Sequence, residues 1–297
     1  MANTTIDGPA PAPGDAPDPV PQGPRRRRIT VGRVLLGLGV LIVVLVVAGA
    51  AWWFLGRDEA EQRSTDSVVE DLRASGETAS NDVGRPAFGV YAATATGTED
   101  VGFPGLTESL GPNAPVTVTH GDGGCFTYRV DFNTHHWRTW RFCPGAGAAF
   151  ALDQTESYTT RNLPGVDFGS SLNTFTCSTP VPYLWSDAVV GETRAGTCSG
   201  TSDTIPGVTT DGAVVEVLEH TTLTIGGNEV AVVHIRATDT FGDAQVGHET
   251  DEWWLDASTG LPVKVVIDSR MTSDSPVGSL DYVEKGTLEL TTLDPTT

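Results

Sequence analysis

Lysine is nearly missing from this chain: Lys264 and Lys285 are the only two among 297 residues. Motifs that announce chemistry are missing as well. There is no C-x-x-C, no H-E-x-x-H, no G-x-x-x-x-G-K-[ST] and no G-x-S-x-G. Their absence leaves no sequence basis for a dithiol redox centre, a zinc-protease helix, a phosphate-cradling loop or a nucleophile elbow. Basic residues are scarce overall, 18 against 38 acidic. Five arginines and three aspartates precede Val34, so the remainder holds 13 basic and 35 acidic residues, a net charge of −22. Such a surface repels phosphate backbones and anionic headgroups, which argues against a nucleic-acid partner. Beyond the first quarter of the chain, no segment sustains a 3.6-residue apolar period, so a helical domain is not expected there.

One long apolar run is present. Residues 34–55 carry no charge, and Arg25, Arg26, Arg27, Arg28 and Arg33 crowd their N-terminal side. As a helix this run covers roughly 33 Å, enough for the hydrocarbon core of a bilayer. The basic cluster predicts a cytoplasmic N-terminus and an exterior C-terminus, with Trp52 and Trp53 in the far interfacial belt. The competing reading is a cleaved signal peptide, since Ala48-Gly49-Ala50 has the small-x-small form of a cleavage site. The run is longer than a typical signal core and continues through Trp52-Trp53-Phe54, which favours a retained anchor.

The expected organisation follows. Residues 1–33, with seven prolines between Pro9 and Pro24, read as a disordered cytoplasmic tail. Residues 34–55 are the transmembrane helix through which the chain meets the lipid bilayer. Residues 56–87 are a polar stalk and linker whose only apolar stripe is Val68, Val69 and Leu72. Residues 88–297 are an exterior domain of β type. Val-, Thr- and aromatic-rich runs separated by Gly, Asn and Asp recur through it, and the clearest are 214–225, 229–238, 246–256, 261–268 and 280–293. Short turns between them, such as Gly226-Gly227-Asn228, predict an antiparallel meander forming a curved sheet or half-barrel.

The cysteines specify one hairpin. With the turn centred on Thr134, Cys125 faces Cys143, and Phe126 pairs with Phe142 and Tyr128 with Trp140 on one apolar face shared by Val130 and Phe132. Directly opposed strand positions bring Cα atoms within bridging range. Cys177 and Cys198 then pair by elimination. All four lie beyond the apolar run, in the compartment where disulfides persist, so a structural role is expected for each.

The candidate polar sites are thin. His135-His136 falls at the turn, where a solvated pair is the ordinary expectation. His234 and His248 lie on neighbouring strands with Glu249, Asp251 and Glu252 nearby, and the acidic run reads as an exposed edge that discourages strand addition. Adjacent strand residues point to opposite faces, so Trp253 and Trp254 split between the core and the second face. Trp253, Trp254 and Val266 form the expected ligand face. No catalytic, metal or cofactor residue is assigned.

Gly89-Val90-Tyr91, the segment from Gly124-Cys125 to Phe142-Cys143, and the stretch from Trp254 to Gly260-Leu261-Pro262-Val263 resemble a group of uncharacterised, membrane-anchored exterior proteins of actinobacteria. That resemblance implies a cell-envelope location. The turn from Trp254-Leu255-Asp256 to Thr259-Gly260-Leu261-Pro262 is similar to one in the LolA-like half-barrel carriers, though no helices to line a concave face accompany it here. No functional residue transfers from either group. The expectation is a single-pass envelope protein whose exterior domain binds a hydrophobic ligand or a partner protein. A sensor ectodomain signalling through the span is the alternative, and an enzyme lacks any supporting motif.

Overall fold

The computed structural model describes residues 42–47, 60–79, 84–102, 106–145, 147–163, 166–185, 187–275 and 278–297. The expected span at 34–55 lies largely outside these residues. Its described part, 42–47, is helical with exposed side chains. No helix among the described residues is long and apolar enough to cross a membrane. The tail at 1–33 lies wholly outside them.

From residue 60 onward the described residues form one compact unit of β structure with one short α-helix. That helix, α1 (Thr65–Ser75), starts on Ser64, whose side chain accepts from the Ser67 N–H, and ends on Gly76 at φ 73°. A hydroxyl at the N-cap satisfies an orphan donor, and glycine takes the left-handed C-cap without a Cβ penalty. Val68, Val69 and Leu72 are buried against Val90, with Phe88 packed alongside. The apolar stripe of the expected stalk is therefore a docking stripe on the β domain.

Fourteen strands are described: β1 (Gly89–Tyr91), β2 (Ala93–Asp100), β3 (Glu108–Ser109), β4 (Val116–His120), β5 (Phe126–Asp131), β6 (His136–Gly145), β7 (Ala148–Leu163), β8 (Val166–Leu184), β9 (Thr193–Ser202), β10 (Thr209–Ile225), β11 (Asn228–Asp243), β12 (Gln245–Asp256), β13 (Pro262–Ser275) and β14 (Gly278–Leu290). All pair antiparallel in one curled, half-barrel sheet, and from β4 to β14 each strand lies beside its sequence neighbour. The first two strands unite the ends. β1 bonds to β4 and β2 bonds to β14, with only Ala92 between them. One short segment thus holds both margins of the meander. On β2, Gly97 opposes Gly286 at φ 132°, where a Cβ would meet the Lys285 carbonyl at 2.1 Å. Only glycine fits there.

The β5–β6 hairpin has the expected register, Phe126 to Phe142 and Tyr128 to Trp140, and Cys125 is bonded to Cys143. Cys177 is bonded to Cys198, directly opposite it on β9. β8 continues through Pro180 and Pro182. Past Thr179 it pairs with β7 alone, an edge position where proline is tolerated.

Curling brings opposite walls into contact. Trp253 on β12, wholly buried, meets Trp140 at 5.1 Å, Tyr183 at 5.5 Å, Phe142 at 6.3 Å and Tyr128 at 6.5 Å between ring centroids. Phe126 adds Phe142 at 5.2 Å and Phe150 at 5.0 Å. Each such ring buries roughly 150–250 Å², contributing about 4–6 kcal/mol at 25 cal/mol per Å² before entropy. This aromatic layer fills one end of the interior.

Candidate functional site

The other end of the interior is charged. The strand registers place Glu99, Glu284, Ser269, Glu249 and Asp239 directly opposite one another across β2, β14, β13, β12 and β11. All five are buried, Glu99 and Ser269 completely. The reason is period-two alternation. Glu249 and Asp251 share parity with Trp253 and Leu255, Glu284 with Leu288 and Leu290, and Glu99 with Ala93 and Ala95. Side chains at i, i+2 and i+4 share a face, so each strand that lines the aromatic layer carries its acid inward a few rungs further along. The acidic run at 249–252 is therefore not an exposed edge: Glu249 and Asp251 point inward and are buried.

Cations arrive from the opposite wall. On β6, His136 and Arg138 share the face of Trp140 and Phe142. His136 Nδ1 lies 2.9 Å from Glu99 Oε2, and its Nε2 lies 4.0 Å from Glu284 Oε2. Arg138 Nη2 donates to Glu249 Oε1 at 2.6 Å and Nη1 to Glu284 Oε2 at 3.4 Å, with the guanidinium 4.9 Å from the centre of the Trp140 ring. The Tyr282 hydroxyl donates to Glu284 Oε2 at 2.7 Å. The expected solvated pair His135-His136 is thus buried, with His136 fully enclosed and His135 Nδ1 3.1 Å from Glu108 Oε1. A turn beside a curled sheet lies over its end rather than out in solvent.

Protonation follows from burial and neighbours. Burial disfavours the His136 cation, yet Glu99 and Glu284 outweigh it and hold its pKa above the usual value. Burial likewise opposes charge on Glu249, but Arg138 holds its carboxyl below the usual range. Asp251 and Asp239 are pushed well up, by burial first and then by Glu249 for Asp251 and by Asp211 for Asp239. Asp211, also buried and under the field of Glu249, is raised to about 7. The Tyr183 hydroxyl is pushed up by burial and by Asp239, Asp251, Glu249 and Asp211. Such opposed shifts within one cluster mark a candidate functional site.

Trp253 and Trp254 take opposite faces of β12. Trp253 belongs to the aromatic core. Trp254 is half-buried on the outer face, stacked on His234 at 4.0 Å and 14°, with Lys264 Nζ 4.9 Å from its centre. Val266 is half-buried two rungs from Lys264 on the same face. His234 is engaged by Glu219 at 3.1 Å and Glu252 at 3.2 Å, whereas His248 is exposed and opposes Thr240, so the two histidines do not form a pair. Among the described residues no group of three His, Cys, Asp or Glu side chains is set to hold a metal ion. Nor does anything in the described structure indicate an enzymatic activity.

Compared with protein-family models, with curated proteins and with solved structures, the chain finds no match in any of the three.

Proposed function

We propose that this chain is a single-pass, membrane-anchored protein of the cell envelope whose exterior β domain is a binding module, with recognition at the charged end of its interior. The observation behind the reading is the buried row of Glu99, Glu284, Glu249 and Asp239. Withdrawing a carboxylate from water costs several kcal/mol or forces it to take up a proton, and apolar residues of similar volume would fill such positions without that cost. The aromatic layer already supplies a core, so the row adds nothing that folding requires. The expected apolar face offers less. Trp253 is enclosed, and Trp254 is covered in part by His234 and Lys264. The test is a thermal-shift screen of the full-length protein in detergent against charged, neutral polar and apolar small molecules. A ligand of this site raises the melting temperature of the wild type and loses that effect in Glu249→Gln. Stabilisation by apolar probes alone, removed by Trp254→Ala and untouched by Glu249→Gln, would return the function to the outer face.

A sensor role has one specific observation behind it. The segment joining the apolar run to α1 is tied to the turn at the charged end. The Thr134 N–H donates to the Glu61 carbonyl at 2.9 Å, and the Glu61 N–H donates to Thr134 Oγ1 at 3.0 Å. Thr134 is two residues from His136, so a change at the site has a short path to the chain leading back toward the span. Co-purification of a cytoplasmic partner that depends on residues 34–55 tests this reading.

A further inference from the structure

We propose that the part of the charged end lined by Asp211, Asp239 and Asp251 binds an organic cation, an alkylammonium or guanidinium group on a small apolar body; this rests on the binding-module reading above. Charge inside the domain is unevenly matched. The two basic side chains that reach the charged end from β6, His136 and Arg138, are taken by Glu99, Glu284 and Glu249. Among the described residues no basic side chain forms an ion pair with Asp211, Asp239 or Asp251. These three stand on β10, β11 and β12, neighbours in the sheet. Two of them also carry an oxygen with nothing to bond. Asp251, 2% exposed, and Asp211, 9% exposed, each leave Oδ1 buried without a hydrogen-bond partner. A buried acceptor left unmade costs free energy, and a cationic donor is the group that satisfies it best.

Two phenylalanines stand beside these acids, and the Cys177–Cys198 disulfide flanks Asp211 on the other side. Phe241 stands opposite Asp211 in the β10–β11 register and shares its face with Asp239. Phe175 on β8 meets Phe241 edge-on at 5.7 Å. The Phe175 ring lies over Gly200, where any Cβ would come within 2.5 Å of it, so the ring is held in place by the absence of a side chain on β9. Both rings are half-buried, unlike the enclosed rings of the aromatic layer. Carboxylates with an aromatic ring beside them suit a cation with an apolar body, because the ring quadrupole attracts diffuse positive charge. They suit a bare metal ion poorly, since the three acids belong to three strands and do not converge on one point. Burial and the neighbouring acids raise all three carboxyls, so each keeps its proton to a higher pH than an exposed aspartate, and a bound cation opposes that rise.

The experiment is a calorimetric titration of the full-length protein in detergent at pH 7.5 with choline and with agmatine. The controls are 3,3-dimethyl-1-butanol, the uncharged isostere of choline, and calcium chloride. At least one organic cation binds, at least tenfold tighter than the isostere. Asp211→Asn and Asp239→Asn, both near-isosteric, weaken it tenfold or more, and Phe241→Leu weakens it threefold or more, while Trp254→Ala leaves it unchanged. Near-UV circular dichroism shows that each variant is folded. Should either Asn variant fail to fold, the Phe241→Leu result with the isostere comparison decides. Equal binding of the isostere, or affinity unchanged in every folded variant of this site, overturns the proposal, and tighter binding of calcium than of either cation reassigns the site to a metal. If neither cation binds but some other ligand shows the Glu249→Gln signature, the cation class falls and the binding module stands. If no ligand of any class does, both fall.

Discussion

Glu99 and Glu284 stand directly opposite each other on β2 and β14, both buried, and His136 reaches across the interior to lie beside them. Two carboxylates facing each other in a sheet repel, and the repulsion grows when water is excluded. The imidazolium between them offsets it. His136→Gln removes that charge and leaves the pair uncompensated, so it should destabilise the domain by about 3–5 kcal/mol, the range for breaking a buried ion pair from one side. Adding Glu99→Gln to that variant should recover part of the loss. Denaturant unfolding followed by tryptophan emission measures both, and a loss under about 1 kcal/mol for His136→Gln would show that the imidazolium does not offset this pair.

The aspartates give stability a definite pH dependence. The Asp211 carboxyl is raised from its ordinary value to about 7, and Asp239 and Asp251 are raised as well. For an acid with a raised folded-state pKa, the native state binds more protons than the unfolded chain between the two pKa values. Its contribution is complete below the unfolded pKa of about 4 and is lost as pH rises through the folded one. His136, also raised, acts in the same direction above its ordinary value. Glu249, lowered, acts in the opposite direction but only near pH 4 and below. The melting temperature should therefore fall between pH 5 and pH 8, and Asp211→Asn should flatten that fall. A melting temperature that rises across this interval would contradict the assignment.

Trp253 and Trp254 are neighbours in sequence with opposite surroundings, and their truncations should differ accordingly. Trp253→Ala empties the centre of the aromatic layer and should cost about 3–5 kcal/mol. Trp254→Ala loses a stacked, half-buried ring with its His234 and Lys264 contacts and should cost about 1 kcal/mol. Near-UV circular dichroism should lose most of its intensity in the first variant and little in the second. Equal costs would show that the outer face is as enclosed as the core.

The meander and the β5–β6 hairpin were legible because each follows from one strand or one turn at a time. Alternation assigns faces, and Cys125 with Cys143 sets the register to within a single residue. The buried row was not, because it exists only across five strands. Each acid taken alone looks like a solvated strand residue, and the expectation of an exposed edge at 249–252 followed from treating Glu249, Asp251 and Glu252 as one charged run. A local signal was present. Glu249-x-Asp251-x-Trp253-x-Leu255 and His136-x-Arg138-x-Trp140-x-Phe142 keep charged residues in phase with core aromatics, which a solvent face has no reason to do. What sequence does not display is that the sheet curls, so that β6 can bring its His and Arg to the acids of β12 and β14.

Two independent features bear on the topology of the chain. The arginines before residue 34 favour a cytoplasmic N-terminus, since positive residues flanking an apolar span are retained on that side. The disulfides Cys125–Cys143 and Cys177–Cys198 close loops of 18 and 21 residues in the β domain. Loops of this length contribute about 3 kcal/mol each in the chain-entropy model, and such bonds persist only in an oxidising compartment. If residues 34–55 span the membrane, the C-terminal domain must then be outside. In intact cells a C-terminal tag should be cleaved by added protease while an N-terminal tag is protected, and peptide mapping should find both disulfides formed. Protection of the C-terminal tag would reverse the orientation, and a mature chain beginning near Ala51 would show that the apolar run is a signal peptide rather than an anchor.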